Sequence, residues 1–276
     1  MTDTPATALT ETFEAPNGRI AWTRIGEGPA VVLMHGTPFS SAVWRDIAAA
    51  LAPRHTVYLW DMPGYGRSQM HPDQDVGLAA QQQAFTRLLA HWDLEAPAVV
   101  AHDFGGAVAL RSALLDGAAY SRLALVDAVS LRPWGSDLFR LVAAHPDVFS
   151  ALPAPMHRAL VEAYIASAAH RPLRAADAAE LADPWLGATG QAAFYRQIAQ
   201  ADERHTAEIE DDLHRLPMPV TVVWGQNDAW LAPSIGHRLA RAIGHARLHT
   251  VPGAGHLIQH DAPAQLTGLI TDFLGR

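Results

Sequence analysis

Residues 98–110 read AVVAHDFGGAVAL. An apolar run climbs to a polar point at His102-Asp103, then gives way to Phe104, two glycines and small apolar residues. A short continuous apolar run reads as a strand buried on both faces. The small residues behind it read as a helix lying close against that strand, with Gly105 and Gly106 permitting the approach. A tight strand-to-helix turn of this kind lifts one side chain clear of the backbone. In its serine version the turn reads G-x-S-x-G; here it is Ala101-His102-Asp103-Phe104-Gly105, with an aspartate at the exposed point.

The same pattern recurs outward in both directions. Strands are predicted at 19–25, 30–35, 55–60, 97–102, 122–127, 220–225 and 247–252, with helices at 42–52, 77–92, from 104, 234–243 and 261–274. Nearly continuous apolar strands alternating with helices imply a parallel sheet covered on both faces. The interval 131–215 breaks this rhythm. It is helical in composition and punctuated by Pro133, Pro146, Pro153, Pro155, Pro172 and Pro184, so it reads as an inserted helical cap. The domain organisation is therefore a core in two parts, 1–130 and 216–276, with the cap between them.

Composition narrows the function classes. The chain has 276 residues, 49% of them hydrophobic and only 17% charged, which supports a large core rather than disorder. A net charge of −8 argues against nucleic acid and anionic membrane surfaces as partners. With no cysteine, disulfides and thiolate metal sites are excluded. The fifteen histidines include no HExxH pair, so no metal site and no cofactor are expected. The opening MTDTPATALTETFEAP lacks the basic and apolar regions of an export signal, and no apolar stretch is long enough to span a membrane. A cytoplasmic protein is expected.

Ligands of such sheets bind beyond the carboxyl ends of the strands. Four of those ends carry candidates: His35-Gly36-Thr37-Pro38, Asp103, Asp228 in WGQND, and His256 in GAGH. The chain order nucleophile, acid, histidine is that of the α/β-hydrolases. Asp228 is placed to hold the His256 imidazole, with Asp127 as the second choice of acid. The backbone N–H groups of Thr37 and Phe104 are the expected oxyanion hole. Asp61 and Asp127 also end strands, where turn hydrogen bonding is the favoured role. A serine-esterase reading would need Ser40 or Ser41, neither of which sits at an elbow.

HGTPFSSAVWR at 35–45, DMPGYGRS at 61–68, AHDFGG, WGQND and GAGH together resemble the α/β-hydrolase superfamily over nearly the whole chain. That resemblance implies a mostly parallel eight-stranded sheet with helices on both faces and an inserted cap. The aspartate elbow is similar to the branch holding epoxide hydrolases and haloalkane and fluoroacetate dehalogenases. A carboxylate is already ionised at neutral pH and can displace a leaving group from saturated carbon. The product is an ester of Asp103 itself, which His256 and a water then hydrolyse.

The leaving group divides that branch. Haloalkane dehalogenases place tryptophan directly after the nucleophile, and fluoroacetate dehalogenases place arginines there; this chain has Phe104, Gly105 and Gly106. An epoxide oxygen needs an O–H donor instead. AAFYRQIAQAD is similar to the Tyr-Arg stretch of epoxide hydrolase caps, making Tyr195 the expected donor and Tyr164 a second. Trp134 and Trp185 are expected to line the cap side of the pocket, with His35, Phe39 and Phe104 opposite, while Trp44 and Trp60 read as packing. The expected partner is a small hydrophobic substrate, opened from epoxide to diol. The alternatives are haloalkane or haloacid dehalogenation by the same triad, and a non-hydrolytic or binding member of the fold.

Overall fold

Apolar side chains on successive positions of a strand must find cover on both sides of the sheet, and this chain supplies it. The computed structural model describes residues 7–275. Residues 1–6, part of the stretch read for an export signal, lie outside the described residues. Eight strands form one sheet: β1 (Glu11–Ala15), β2 (Gly18–Ile25), β3 (Ala30–Met34), β4 (Thr56–Trp60), β5 (Ala98–His102), β6 (Arg122–Val126), β7 (Val220–Gly225) and β8 (Arg247–Val251). Their order is β1-β2-β4-β3-β5-β6-β7-β8. The pairs β1–β2 and β2–β4 are antiparallel, and every later pair is parallel. Helices cover both faces, so the sheet is the mostly parallel, eight-stranded one expected.

Alternation within a strand divides the core in two. Val32 and Met34 of β3 join one apolar layer; Val31 and Leu33 join the other. In β5, Val99 and Ala101 likewise oppose Ala98 and Val100. The strand β1, ETFEA, was missing from the residue-by-residue prediction. It pairs on one edge only and leaves its glutamates exposed, so it carries little apolar signal.

Between β6 and β7 the chain adds no strand. Helices run over Asp137–Ala144, Pro146–Ser150, Ala154–Ala168, Ala175–Ala182, Gly187–Ala199 and Arg204–Ala207, with short tight turns of helix at Asp183–Trp185 and Glu210–Arg215. Pro146, Pro155 and Pro184 stand in first turns, where a missing N–H costs nothing. This insertion buries Val142, Val161, Ile165 and Phe194 in the same apolar layer as Phe104. It therefore sits over the carboxyl ends of the strands. Among the described residues no helix is long and apolar enough to cross a membrane.

Candidate active site

The strand order reverses at β3 and β5, and the elbow lies there. Strand β5 ends at His102 and a helix spans Phe104–Leu115. Between them Asp103 adopts φ 49° and ψ −120°. A left-handed φ costs a non-glycine residue about 1–3 kcal/mol, so surrounding packing must hold it. Neighbouring glycines make that packing possible. A Cβ at Gly105 would lie 2.6 Å from the His35 carbonyl oxygen, and one at Gly36 would lie 2.3 Å from Asp103 Oδ1. Asp103 stands at the N-cap of that helix, but its carboxylate bonds none of the helix N–H groups.

Each oxygen of Asp103 has its own neighbour. The Thr37 N–H donates to Oδ1 at 2.7 Å. His256 Nε2 lies 3.4 Å from Oδ2. On the far side of the ring, His256 Nδ1–H donates to Asp228 Oδ2 at 2.9 Å. Asp228 Oδ1 in turn accepts the N–H groups of Trp230 at 2.8 Å and Leu231 at 2.9 Å. Asp103, His256, Asp228 and Thr37 thus meet at one point, as do the strand ends that carry them. The N–H of Phe104 opens the helix beside them.

The charges are strongly coupled. Burial works to lower the His256 imidazole, but Asp228, and hydrogen bonding to Asp103 and Asp228, hold it well above the usual histidine range. Burial works to raise the Asp228 carboxyl, yet the His256 charge and hydrogen bond, with the Leu231 and Trp230 N–H groups, hold it low. His102, beneath His256 with ring centroids 4.8 Å apart, is pushed down to about 3 by burial and by the His256 charge. It is neutral at ordinary pH, and its Nε2–H donates to the His256 carbonyl at 2.9 Å.

Above Asp103 lies a cavity of about 30 Å³, room for about two water molecules. Phe104, Trp134, Phe139, Tyr164 and Trp230 form its aromatic wall, and Ser136 adds a hydroxyl. Burial, followed by the Asp103 charge, holds the Tyr164 phenol well above the ordinary value. Trp230 stacks on Tyr164 with centroids 4.4 Å apart and covers His256 at 4.9 Å. Sequence reasoning missed Trp230 and Ser136. The first stands two residues past Asp228; the second reads as a helix cap, and Ser136 does cap the helix Asp137–Ala144.

Other expected residues are placed differently. The Tyr195 hydroxyl donates to His157 Nδ1 at 2.9 Å, fixed because His157 Nε2–H donates to the Trp185 carbonyl at 2.8 Å. Tyr195 therefore packs inside the insertion and does not line the cavity. Trp185 gives its indole N–H to the Pro38 carbonyl at 2.6 Å and is also absent from the wall. Trp134 contributes its ring, but its N–H goes to Thr206 Oγ1 at 2.8 Å. His35 is structural: its Nε2 accepts the Met62 N–H at 2.9 Å, and its Nδ1–H lies 3.0 Å from the Gly36 carbonyl. Phe39 stacks behind Trp230 at 5.9 Å. Asp61 bonds the N–H groups of Ser41 and Arg67, the turn role expected of it.

Residues 29–263 match the alpha/beta hydrolase fold family, and the chain belongs to it. An alpha/beta hydrolase fold protein from Burkholderia ambifaria, known as a crystal structure, is 46% identical, with a TM-score of 0.92 over 96% of this chain and 98% of that one. An uncharacterized protein of Mycobacterium tuberculosis is 30% identical over 274 residues, covering 93% of this chain and 78% of the relative. Haloalkane dehalogenase 2 of the same organism is 28% identical over 279 residues, covering 95% of this chain and 94% of the relative. The protein is a hydrolase of the α/β fold.

Proposed function

We propose that the protein hydrolyses small, uncharged epoxides through an ester of Asp103. One observation carries the reading: a carboxylate stands at the elbow, with Oδ1 on the Thr37 N–H and Oδ2 beside His256. Oδ2 attacks an epoxide carbon, the C–O bond breaks, and the released oxygen takes the Tyr164 proton. The phenolate regains a proton from solvent, and His256, with the Asp103 charge gone, gives its resting proton up to solvent. His256 then takes a proton from water, and the hydroxide adds to the Asp103 Cγ. The negative charge that develops on Oδ1 meets the Thr37 N–H and the Phe104 N–H. Collapse expels the diol as its alkoxide, which takes the proton from His256, and the Asp103 carboxyl left behind passes its own proton to His256, restoring the carboxylate and the imidazolium.

Tyr164 supports the epoxide over a halide. It is a phenol on the cavity wall, whereas Trp134, Trp185 and Trp230 have committed their indole N–H groups to protein acceptors. The insertion at 131–215 serves as the cap in this reading, and its aromatic wall suits an apolar substrate. The relative named a haloalkane dehalogenase favours a second reading, displacement of halide by the same Asp103.

Intact mass spectrometry of His256→Gln separates them. Attack survives in this variant and hydrolysis stalls, so the ester accumulates. A gain equal to the whole epoxide supports the first reading; a gain equal to the alkyl group without halogen moves the assignment to the second. No adduct across a panel of small epoxides and halides defeats both and leaves a binding role.

A further inference from the structure

Asp127, at the end of β6, takes no part in the reaction described above, yet it is fully buried beside the triad. Its φ of 38° is left-handed, and its N–H donates to the Val223 carbonyl at 3.0 Å. Its Oδ1 accepts the Gly225 N–H at 2.9 Å. Its Oδ2 is buried with no donor directed at it. Asp228 hangs on the same glycine, its N–H donating to the Gly225 carbonyl at 3.3 Å, and its carboxyl is the acidic group beside Asp127.

Asp228 has room for one more donor. An ionised carboxylate offers about four lone-pair sites. Trp230 and Leu231 fill two on Oδ1, and His256 fills one on Oδ2. Two carboxylates in dry contact repel unless a proton lies between them. With that proton, both orphaned sites are satisfied at once.

We propose that Asp127 is a positioning residue for the triad, a carboxylic acid that keeps its proton and donates it in a hydrogen bond to Asp228. The inference rests on the triad assigned above. Every charged group that faces Asp127 is accounted for: Asp228 and His256, with the Gly225 N–H on its other oxygen. Burial first, and then the Asp228 charge, raise the Asp127 carboxyl well above the usual range, against the opposing pull of His256 and Gly225. The donated bond fixes the plane of Asp228 and spreads its negative charge. Asp228 then orients His256 without holding its proton as tightly as a bare carboxylate would. A second anion at the same place would overstabilise the imidazolium, so His256 would stay protonated and have no free nitrogen to take a proton from water.

Two measurements on the substrate-free protein test this. The infrared spectrum of the wild type at neutral pH is expected to contain the carbonyl stretch of a protonated carboxyl, shifted by deuterium exchange. Asp127→Asn removes that band; Asp103→Asn keeps it. In parallel, NMR follows the titration of the His256 ring. Asn keeps a neutral N–H donor, so Asp127→Asn titrates within about half a pH unit of wild type. Asp127→Leu loses the donor and shifts His256 upward, and the Asn variant is the rescue. The proposal is overturned if no band disappears in Asp127→Asn, or if that variant lowers the His256 titration by a unit or more, since the lost group was then an anion. If Asp127→Leu does not fold, the Asn variant and the infrared band still decide. Neither readout depends on turnover, so a failure of the epoxide reading leaves this test intact.

Discussion

In the proposed reaction the charge state of one side chain, Asp103, sets the timing of the chemistry. In the resting site, Asp103 and Asp228 both favour the imidazolium form of His256. Ester formation in that reaction discharges Asp103, so one of the two supports is lost and the imidazolium gives up its proton, leaving a neutral His256 ring when a water must be deprotonated. Single-turnover breakdown of the ester should therefore rise with pH as His256 loses its proton. Its midpoint should lie below the His256 titration measured by NMR in the free protein; a midpoint at or above that value would contradict the role of Asp103. The tyrosines give a second test. Tyr164→Phe should slow epoxide opening by about 10²-fold or more, while Tyr195→Phe, which loses only its bond to His157, should leave ring opening within a few-fold of wild type. Stopped-flow measurement of the alkylation step compares them directly. These two residues also show where sequence reading reaches its limit. Asp103, Asp228 and His256 were legible because strand ends converge by topology alone. A tyrosine on an amphipathic helix announces a polar tip but not its partner, and the partner of Tyr195 lies 38 residues away.

Among elements, the helix Gly187–Ala199 is tied to the loop after β3. Gln197 Oε1 accepts the Thr37 hydroxyl at 2.6 Å and the Tyr65 hydroxyl at 3.1 Å. Thr37, whose N–H meets Asp103 Oδ1, is thus anchored through its side chain to the insertion. Gln197→Leu should strand two buried hydroxyls and cost about 1–3 kcal/mol of stability, read as a lower urea midpoint. It should also slow ester hydrolysis, because Thr37 is released. An unchanged midpoint would show that these hydroxyls find other acceptors. Nothing in the sequence announced this link, since a glutamine in a helix is an ordinary surface residue until its neighbour is known. Seven strands were legible, β3 to β7 as apolar runs between turns and β2 and β8 as shorter alternations of apolar and polar residues. The edge strand β1 was not, and the helix expected at 42–52 begins as a tight turn over Ser41–Trp44, capped by Ser40.

For the whole molecule, the sheet and the insertion together leave little room above the nucleophile. A cavity of about 30 Å³ points to substrates of a few heavy atoms. In a series of terminal epoxides of increasing length, kcat/KM should fall steeply after the smallest members. Phe139→Ala removes one aromatic wall, and should raise kcat/KM for the longer ones; no gain would place the size limit elsewhere. Asp103 is 3% exposed and His256 is wholly buried, so the two meet little solvent in this conformation. In the proposed reaction a cavity this small requires the insertion to move as substrate enters and as diol departs. The catalytic cycle then contains two steps that push against solvent rather than break bonds. Turnover of a good substrate should slow as sucrose thickens the medium, while that of a poor one, limited by its chemistry, should not.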